Sequence, residues 1–573
     1  MSLIKETEEY VESLFKELGY NVSKVTLVPS SRPELGEFQI NDSFSIAKEL
    51  HLNPRDVAQK IVDKFDNRFT NVNIAGPGFI NISFNEDVLI DYYNNCKDFE
   101  QFIDKHEPIN LLVDYGGANA AKALHVGHMR AANIGEALKR LANRLGDSTI
   151  GDVHLGDLGR QAGMLIYMLK QEKTDLDIFK PGFIGDIPDL GLTPDDLARM
   201  YPKASSLAKE DPAVMEEVRR ITAEIDKGNK LYTDIWKQMV DISSISIKNT
   251  YKKLNCNFEL WEGELDAFKE IPELLEKMGP YLYESEGAKV IDVKEDNDTK
   301  PIPPLMVIKN DGATIYATRD LGTLVSRMRR FKLDEIWYVV DERQNLYFDQ
   351  VFRAAYKTGI VPKETKLHHY GFGTINGQDN RPYKTRDGGV MQLDSLIKMI
   401  KDEIETKIKD NIVGEERENI ANTLSIATLK FADLLPYRKT DYIFDPVKFS
   451  SFDGKTGPYI LYTCVRIKSL LKKAESTDFS IKNIPNKEIK DLLIKLLELP
   501  NTLNKAYNEA TLNYITEYVY EIASLYNKFY NNYNILNEKD NNNKESFLGV
   551  SKITYDIIHN LLDILAIEEV EKM

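Results

Sequence analysis

Asp114-Tyr-Gly-Gly-Ala-Asn-Ala-Ala-Lys-Ala-Leu-His-Val-Gly-His-Met-Arg130 is the stretch on which the fold turns. An apolar run, Ile109 to Val113, precedes it and reads as a buried strand. From Ala131 to Leu145 a helical pattern follows, with Ile134, Leu138, Leu141 and Leu145 on one side. Strand, glycine-rich turn and helix in that order bring the first N–H groups of a helix to an anionic ligand. His125 and His128 bracket Gly127, where a missing side chain lets a base or ribose approach the backbone. Imidazoles three apart at a helix start share a face, and each can donate to a phosphate oxygen. A zinc pair or ordinary helix capping are the other readings of these histidines; with no HExxH pattern and no paired cysteines, zinc is the weakest. The spacing is neither GxGxxG nor GxxxxGK[ST], which disfavours a dinucleotide fingerprint and a P-loop.

A chain of 573 residues predicts several domains. Its 42% hydrophobic and 29% charged residues are those of a soluble globular protein. The polar start Met1 to Glu12 has no signal-peptide pattern and no apolar run approaches membrane-spanning length, so a cytoplasmic location without membrane attachment is expected. Cys96, Cys256 and Cys464 stand far apart, which argues for buried thiols and against a disulfide framework or a cysteine zinc site. A formal net charge of -16 speaks against nucleic-acid binding over the whole surface, while leaving room for local basic patches.

Residues 1–105 read as a small α+β module. Val11, Leu14, Leu18 and Val22 mark a first helix, and Pro33 to Asn41 an exposed turn leading to a helix at Ser45–Leu50. Another helix follows at Pro54–Phe65, then a strand pair, Val72 to Ser83, around Gly76-Pro-Gly78. Gly151 to Leu165 suggests a turn above a strand end, with Asp157 and Gln161 lining or bracing a cleft. Residues 171–304 form a charged, largely helical insertion, with a helix at 211–227 and a strand at 288–293. A second half of the core starts at Pro304–Ile308. Asp311-Gly312 makes a hairpin-like turn, and Thr314 to Leu321 runs from strand to helix. Tyr316 and Asp320 lie four apart across that junction; Asp320 is a helix cap or a carboxylate holding a cationic side chain. Ile336–Asp341 and the polar Glu342–Gln350 repeat the strand, tip and helix order, as a parallel sheet with a ligand at its carboxyl edge requires. From 420 to 573 nearly everything is helical. The segment Thr456 to Lys473 has an apolar stripe and a basic face with tyrosines, either a bundle surface or a platform for bases and phosphates. Asn537–Lys544 reads as a polar loop and Ile557–Ile567 as a closing helix.

The segment Asn119 to Arg130 resembles the HIGH signature of class I aminoacyl-tRNA synthetases in the form found in arginyl-tRNA synthetases. Gly36-Glu-Phe38 and Ala75 to Asn81 resemble the additional N-terminal domain of that family, which more often has Asp at position 37. Tyr370 to Leu393 resembles the mobile KMSKS signature, here Pro382-Tyr-Lys-Thr-Arg386, with Thr385 where the second lysine normally stands. The resemblance implies an α/β fold: a Rossmann-like nucleotide-binding core with a parallel sheet at 106–400, interrupted by the insertion at about 171–304. A small α+β N-terminal domain at 1–105 that contacts tRNA and an all-α anticodon-binding bundle at 401–573 complete it.

It further implies ATP-dependent activation of L-arginine and transfer of the arginyl group to the 3′ end of tRNA(Arg), with Mg²⁺ accompanying ATP, by a monomer. The family's arginine-binding residues map onto Asp114, Asn119, Tyr316, Asp320 and Gln344. His125, Gly127, His128 and Lys384 fall at ATP. Lys122 replaces the missing lysine at the α-phosphate, with Lys384 and Arg386 on the outer phosphates. Tyr459, Tyr462, Arg466 and Lys468 are the candidates for tRNA contact. A synthetase for another amino acid, a simple nucleotidyltransferase and a catalytically silent tRNA-binding protein are the competing readings. Asp320 and the basic C-terminal bundle argue against the first two; amino-acid-dependent exchange of pyrophosphate into ATP separates the third.

Overall fold

The apolar run at 109–113 is the strand Asn110–Tyr115, buried from Leu111 onward. It is one of four strands in a parallel sheet ordered Lys366–His369, Glu335–Val339, Asn110–Tyr115, Ser148–Asp152. The structure, a computed structural model, describes residues 1–573 except 121–123, 181, 184, 311, 382, 384–390 and 475–477. Two units make up the chain: residues 1–106, 407–431 and 449–573 in one, 107–406 and 432–448 in the other.

In the second unit, parallel neighbours require crossovers. Helices Val126–Arg144 and Asn345–Lys357 supply two of them. Leu112 and Ile336 from the sheet pack with Leu321, Leu324 and Val351 from helices laid on it. The helix predicted from Ala131 begins at Val126, because His125 serves as its cap. The insertion helices Pro194–Glu210, Pro212–Asp226 and Lys230–Lys253 close with Arg160–Glu172, which leads into them, around Leu165, Val218, Ile221 and Trp236. Leu305–Ile308 departs from expectation. It pairs antiparallel with Ala288–Ile291 at the edge of a separate sheet, whose other two strands, Leu282–Ser285 and Ala288–Ile291, are a hairpin turned by Glu286 and Gly287 at φ 52 and 79. Thr314 makes only an isolated bridge to Ile308 before the helix Tyr316–Arg330, and Gly312 turns at φ 83; its predicted turn partner Asp311 lies outside the described residues.

In the first unit, strands Leu27–Pro29, Phe38–Ile40, Phe79–Phe84 and Phe69–Ala75 form an antiparallel sheet in that order. Phe38–Ile40, read above as part of an exposed turn, is an inner strand with Phe38 and Ile40 buried; three residues are too few for alternation to register. Glu37 accepts from Phe84 N–H at 2.9 Å and pairs with Lys490 at 3.1 Å. The helices Gly457–Ala474, Lys487–Leu497, Leu499–Asn508, Asn513–Asn532 and Asn541–Ile564 build an all-α bundle. The predicted loop at 537–544 is half helix. Asp540 caps Asn541–Ile564, whose buried Ser551 and Thr554 hide the apolar period by donating to carbonyls four residues back. The cysteines are free thiols; Cys256 and Cys464 are buried, whereas Cys96 is only half-buried. Among the described residues no helix is long and apolar enough to cross a membrane.

The helix Val126–Arg144 is anchored by Arg130, which is buried and donates to the carbonyls of Arg438 and Thr440 at 3.1 and 3.0 Å. Asp433 lies 3.4 Å from Arg130 Nε and accepts from Asn133 at 2.9 Å and from the Tyr442 hydroxyl at 3.1 Å. Removing one partner leaves a buried charge poorly compensated, so Asp433→Ala is expected to cost about 3–5 kcal/mol in urea unfolding. A loss under about 1 kcal/mol would contradict the anchoring role.

Candidate active site

A cavity of ≈ 960 Å³ opens at the carboxyl ends of Asn110–Tyr115 and Glu335–Val339, where a parallel sheet is expected to hold its ligand. Asp114, Asn119, His125, Gly127, His128, Tyr316, Asp320 and Gln344 all line it. Lys122, Lys384, Thr385 and Arg386 lie outside the described residues.

On one wall the two histidines cap their helix. His125 Nδ1 accepts from Gly127 N–H at 3.1 Å, and His128 Nδ1 accepts from His125 N–H at 3.0 Å. With each Nδ1 an acceptor, the proton of a neutral ring sits on Nε2. The rings stack with centroids 3.7 Å apart. Capping is therefore compatible with donation to a ligand, since capping itself selects the tautomer with an Nε2–H donor. The glycine between them has a second reason: a Cβ at 127 would sit 3.0 Å from His125 Cε1, so the close approach there is that of the capping ring.

On the facing wall, carboxylates gather. Arg327, fully buried, donates to Asp114 and to Asp152, both at 2.6 Å, and to the Tyr338 hydroxyl at 3.1 Å. Burial raises the Asp114 carboxyl against the pull of Arg327. At Asp152 burial pushes the same way, but Arg327, His154 and the His154 N–H outweigh it and the net direction is down. Asp320 is the fifth residue of the helix Tyr316–Arg330, so the capping alternative for it falls. It accepts from the Tyr347 hydroxyl, and its Oδ1 lies 3.9 Å from His154 Nε2. Tyr316, 59% exposed, opens that helix beside the Arg319 guanidinium, 4.7 Å from its ring. Arg319 Nε pairs with Glu264 at 2.7 Å. Burial pushes the Glu264 carboxyl up to about 7 even so. Gln344 ends a 3₁₀ turn at the rim. Asp157 and Gln161 brace from behind: Asp157 accepts from Leu265 N–H at 3.0 Å, and Gln161 donates to Gly156 C=O at 3.1 Å.

Comparison with known proteins extends this geometry to a family. The model for "tRNA synthetases class I (R), catalytic domain" matches residues 96–446. That for "Arginyl tRNA synthetase N terminal domain" matches 2–84, and that for "DALR anticodon binding domain" matches 460–573. The arginine–tRNA ligases of Alkaliphilus oremlandii and Agathobacter rectalis are 40% and 41% identical, with both chains covered in full in each case. The chain belongs to the arginyl-tRNA synthetase family. In fold it is similar to the solved arginyl-tRNA synthetases of Plasmodium falciparum (TM-score 0.80, 22% identity, covering 100% of this chain and 99% of that one) and Thermus thermophilus (0.79, 20%, all of both). A Rossmann-like catalytic core with a parallel sheet, a small N-terminal domain and an all-α C-terminal bundle are the family's architecture and this chain's.

Four residues of the cavity and its support were not picked out from the sequence: His154 and Glu264 line it, and Asp152 and Arg327 are buried beside Asp114. His154 stood inside the quoted Gly151–Leu165 stretch, and its signal was a histidine at a turn above a strand end. The tRNA candidates lie on Gly457–Ala474 in the other unit. Lys468 is paired with Glu569 at 3.1 Å and Glu571 at 2.9 Å, and the Tyr459 hydroxyl accepts from Asn527 at 3.1 Å. Tyr462, 37% exposed, sits with Arg466, whose guanidinium is 4.9 Å from its ring and 4.8 Å from that of Tyr530. Lys468 is thus neutralised within the bundle, while the Tyr462–Arg466–Tyr530 cluster and the exposed Lys472 and Lys473 remain on that helix.

His125→Asn separates capping from chemistry, because asparagine caps helices well but supplies no Nε2–H. The variant is expected to keep its stability within about 1 kcal/mol. Arginine activation should fall by a factor of about 10² to 10³ in single turnover. Unchanged activation would contradict the donor role.

Proposed function

We propose that the cavity is where the L-arginine carboxylate attacks the α-phosphorus of ATP. The carboxylate oxygen forms the new bond, pyrophosphate leaves, and the adenylate's arginyl group then passes to the 3′-terminal adenosine of tRNA(Arg). ATP-dependent arginine–tRNA ligase activity is that of the family to which the chain belongs. What carries the assignment to this site is one arrangement: the Nε2 donors of the signature helix and the carboxylate of Asp320 border the same cavity.

The attacking group is already an anion, so no protein nucleophile is required, and catalysis rests on orientation and charge stabilisation. His125 and His128 donate to phosphoryl oxygens as charge builds there. Asp320, held by Tyr347, takes the guanidinium with Gln344 and Tyr316 beside it. A planar donor fork suits a carboxylate as the point charge of lysine does not. Asp114 and Asn119 receive the α-amino and carboxylate end, Asp114 keeping its bond to Arg327. Mg²⁺ is assigned to the phosphates of ATP, and no step is routed through it. Lys122 at the α-phosphate, with Lys384 and Arg386 on the outer phosphates, completes the nucleotide side of the proposal. On the tRNA side, residues 1–105 and the Tyr462–Arg466 surface are the proposed contacts. A cytoplasmic monomer is the proposed working form.

Asp320→Asn is expected to raise KM for arginine by about 10- to 100-fold, as loss of a charge-assisted hydrogen bond implies, with a much smaller change in KM for ATP. Equal effects on both would contradict the guanidinium role. For the lysines, Lys122→Ala should depress pyrophosphate exchange more than Lys384→Ala; the reverse order would exchange their roles.

A further inference from the structure

His154 lies in the wall of the cavity with both ring nitrogens buried, and neither makes a hydrogen bond to a described residue. Charged groups face it from every side. Asp114 and Asp152 come from adjacent parallel strands, Asp320 and Arg327 from the helix Tyr316–Arg330. Asp157 faces it from the turn that follows, and Glu264 from the 3₁₀ turn Glu264–Glu270. Tyr338 and Tyr347, bonded to Arg327 and Asp320, are pushed up by burial and stay neutral.

Charge balance makes the ring informative. Asp114 and Asp152 share the guanidinium of Arg327, and Asp320, which accepts from the Tyr347 hydroxyl and lies 3.9 Å from His154, adds a third carboxylate, an excess of negative charge around the ring. L-arginine brings one net positive charge, and on the reading above its guanidinium goes to Asp320, whose Oδ1 is 3.9 Å from His154 Nε2. Two cations cannot share one carboxylate at that range without cost. We propose that His154 is protonated in the arginine-free enzyme and releases that proton to solvent when L-arginine binds, so that the substrate's charge replaces the proton's.

The environment supports this exchange in both directions. Burial lowers the ring's affinity for a proton, but Asp114, Asp152 and Asp320 outweigh burial and Arg327, and the net shift is upward. An arginine whose α-amino group goes to Asp114 and whose guanidinium goes to Asp320 weakens two of the three carboxylate contributions, the largest included, while burial stays to oppose the ring's charge. Below the ring's pKa arginine must displace a proton, so its Kd rises as pH falls, by up to tenfold per unit; above it, Kd is level.

The inference rests on the cavity being the arginine site, and the test keeps the two apart. L-Arginine is titrated calorimetrically into the full-length protein from pH 6 to 8 in buffers of different ionisation enthalpy. His154→Asn is the variant of choice, because His154 sits at φ 25 and asparagine tolerates that region. Glu264, at about 7, and Asp157, at about 6, also titrate in this window, so the difference between wild type and variant decides. His154→Asn is expected to release less than half as many protons as wild type, with a flatter dependence of Kd on pH. A residue with a merely structural role would change Kd at every pH and leave the proton count alone, and an unchanged count overturns the proposal. In wild type, ¹³Cε1-histidine NMR should show one of the 8 histidines moving from the protonated to the neutral position on arginine addition; no such movement overturns it without recourse to a variant. Tight arginine binding by Asp320→Asn would instead sink the assignment of the site.

Discussion

One buried guanidinium holds the cavity together. Arg327 bridges Asp114 and Asp152 at the ends of neighbouring parallel strands, at 2.6 Å to each. Burying three such ions costs several kcal/mol apiece unless each finds partners, and here they find one another and Tyr338. The consequences are geometric and electrical together. The two strand ends are fixed at one level, and the wall they form keeps more negative than positive charge.

The opposite wall has the opposite task. The turn that leaves Asp114 delivers His125 and His128 to a helix start, where backbone N–H groups claim both Nδ1 atoms and leave Nε2 to donate. A single strand, turn and helix thus brings a carboxylate and two Nε2–H donors to one cavity. Arg130, later in the same helix, ties that element to residues 438–442 through buried carbonyls, so the donors stand on a rigid support.

Long periodic segments were legible in the sequence. The strand at 110–115 follows from its apolar run, and the insertion helix Pro212–Asp226 and the helical character of the C-terminal region were read from segments long enough for a pattern to show. Phe38–Ile40 and Leu305–Ile308 were misread: strands of three and four residues carry little pattern, and their partners are set by tertiary contacts. In the site, Asp114, Asn119, Gly127, the histidines, Tyr316, Asp320 and Gln344 line one cavity, placed by motif resemblance and not by spacing alone. Arg327 and Glu264 were invisible for a different reason. Charged residues that meet only on folding leave no local signal, and Asp114 and Arg327 stand 213 positions apart.

Whether the cavity reads a guanidinium is the point on which everything else rests. Exchange of pyrophosphate into ATP, run with arginine, lysine, glutamate and cysteine in turn, with and without tRNA, puts it to the most direct trial. Exchange that depends on arginine and is not supported by lysine is the predicted result. Exchange with glutamate or cysteine but not with arginine would contradict it.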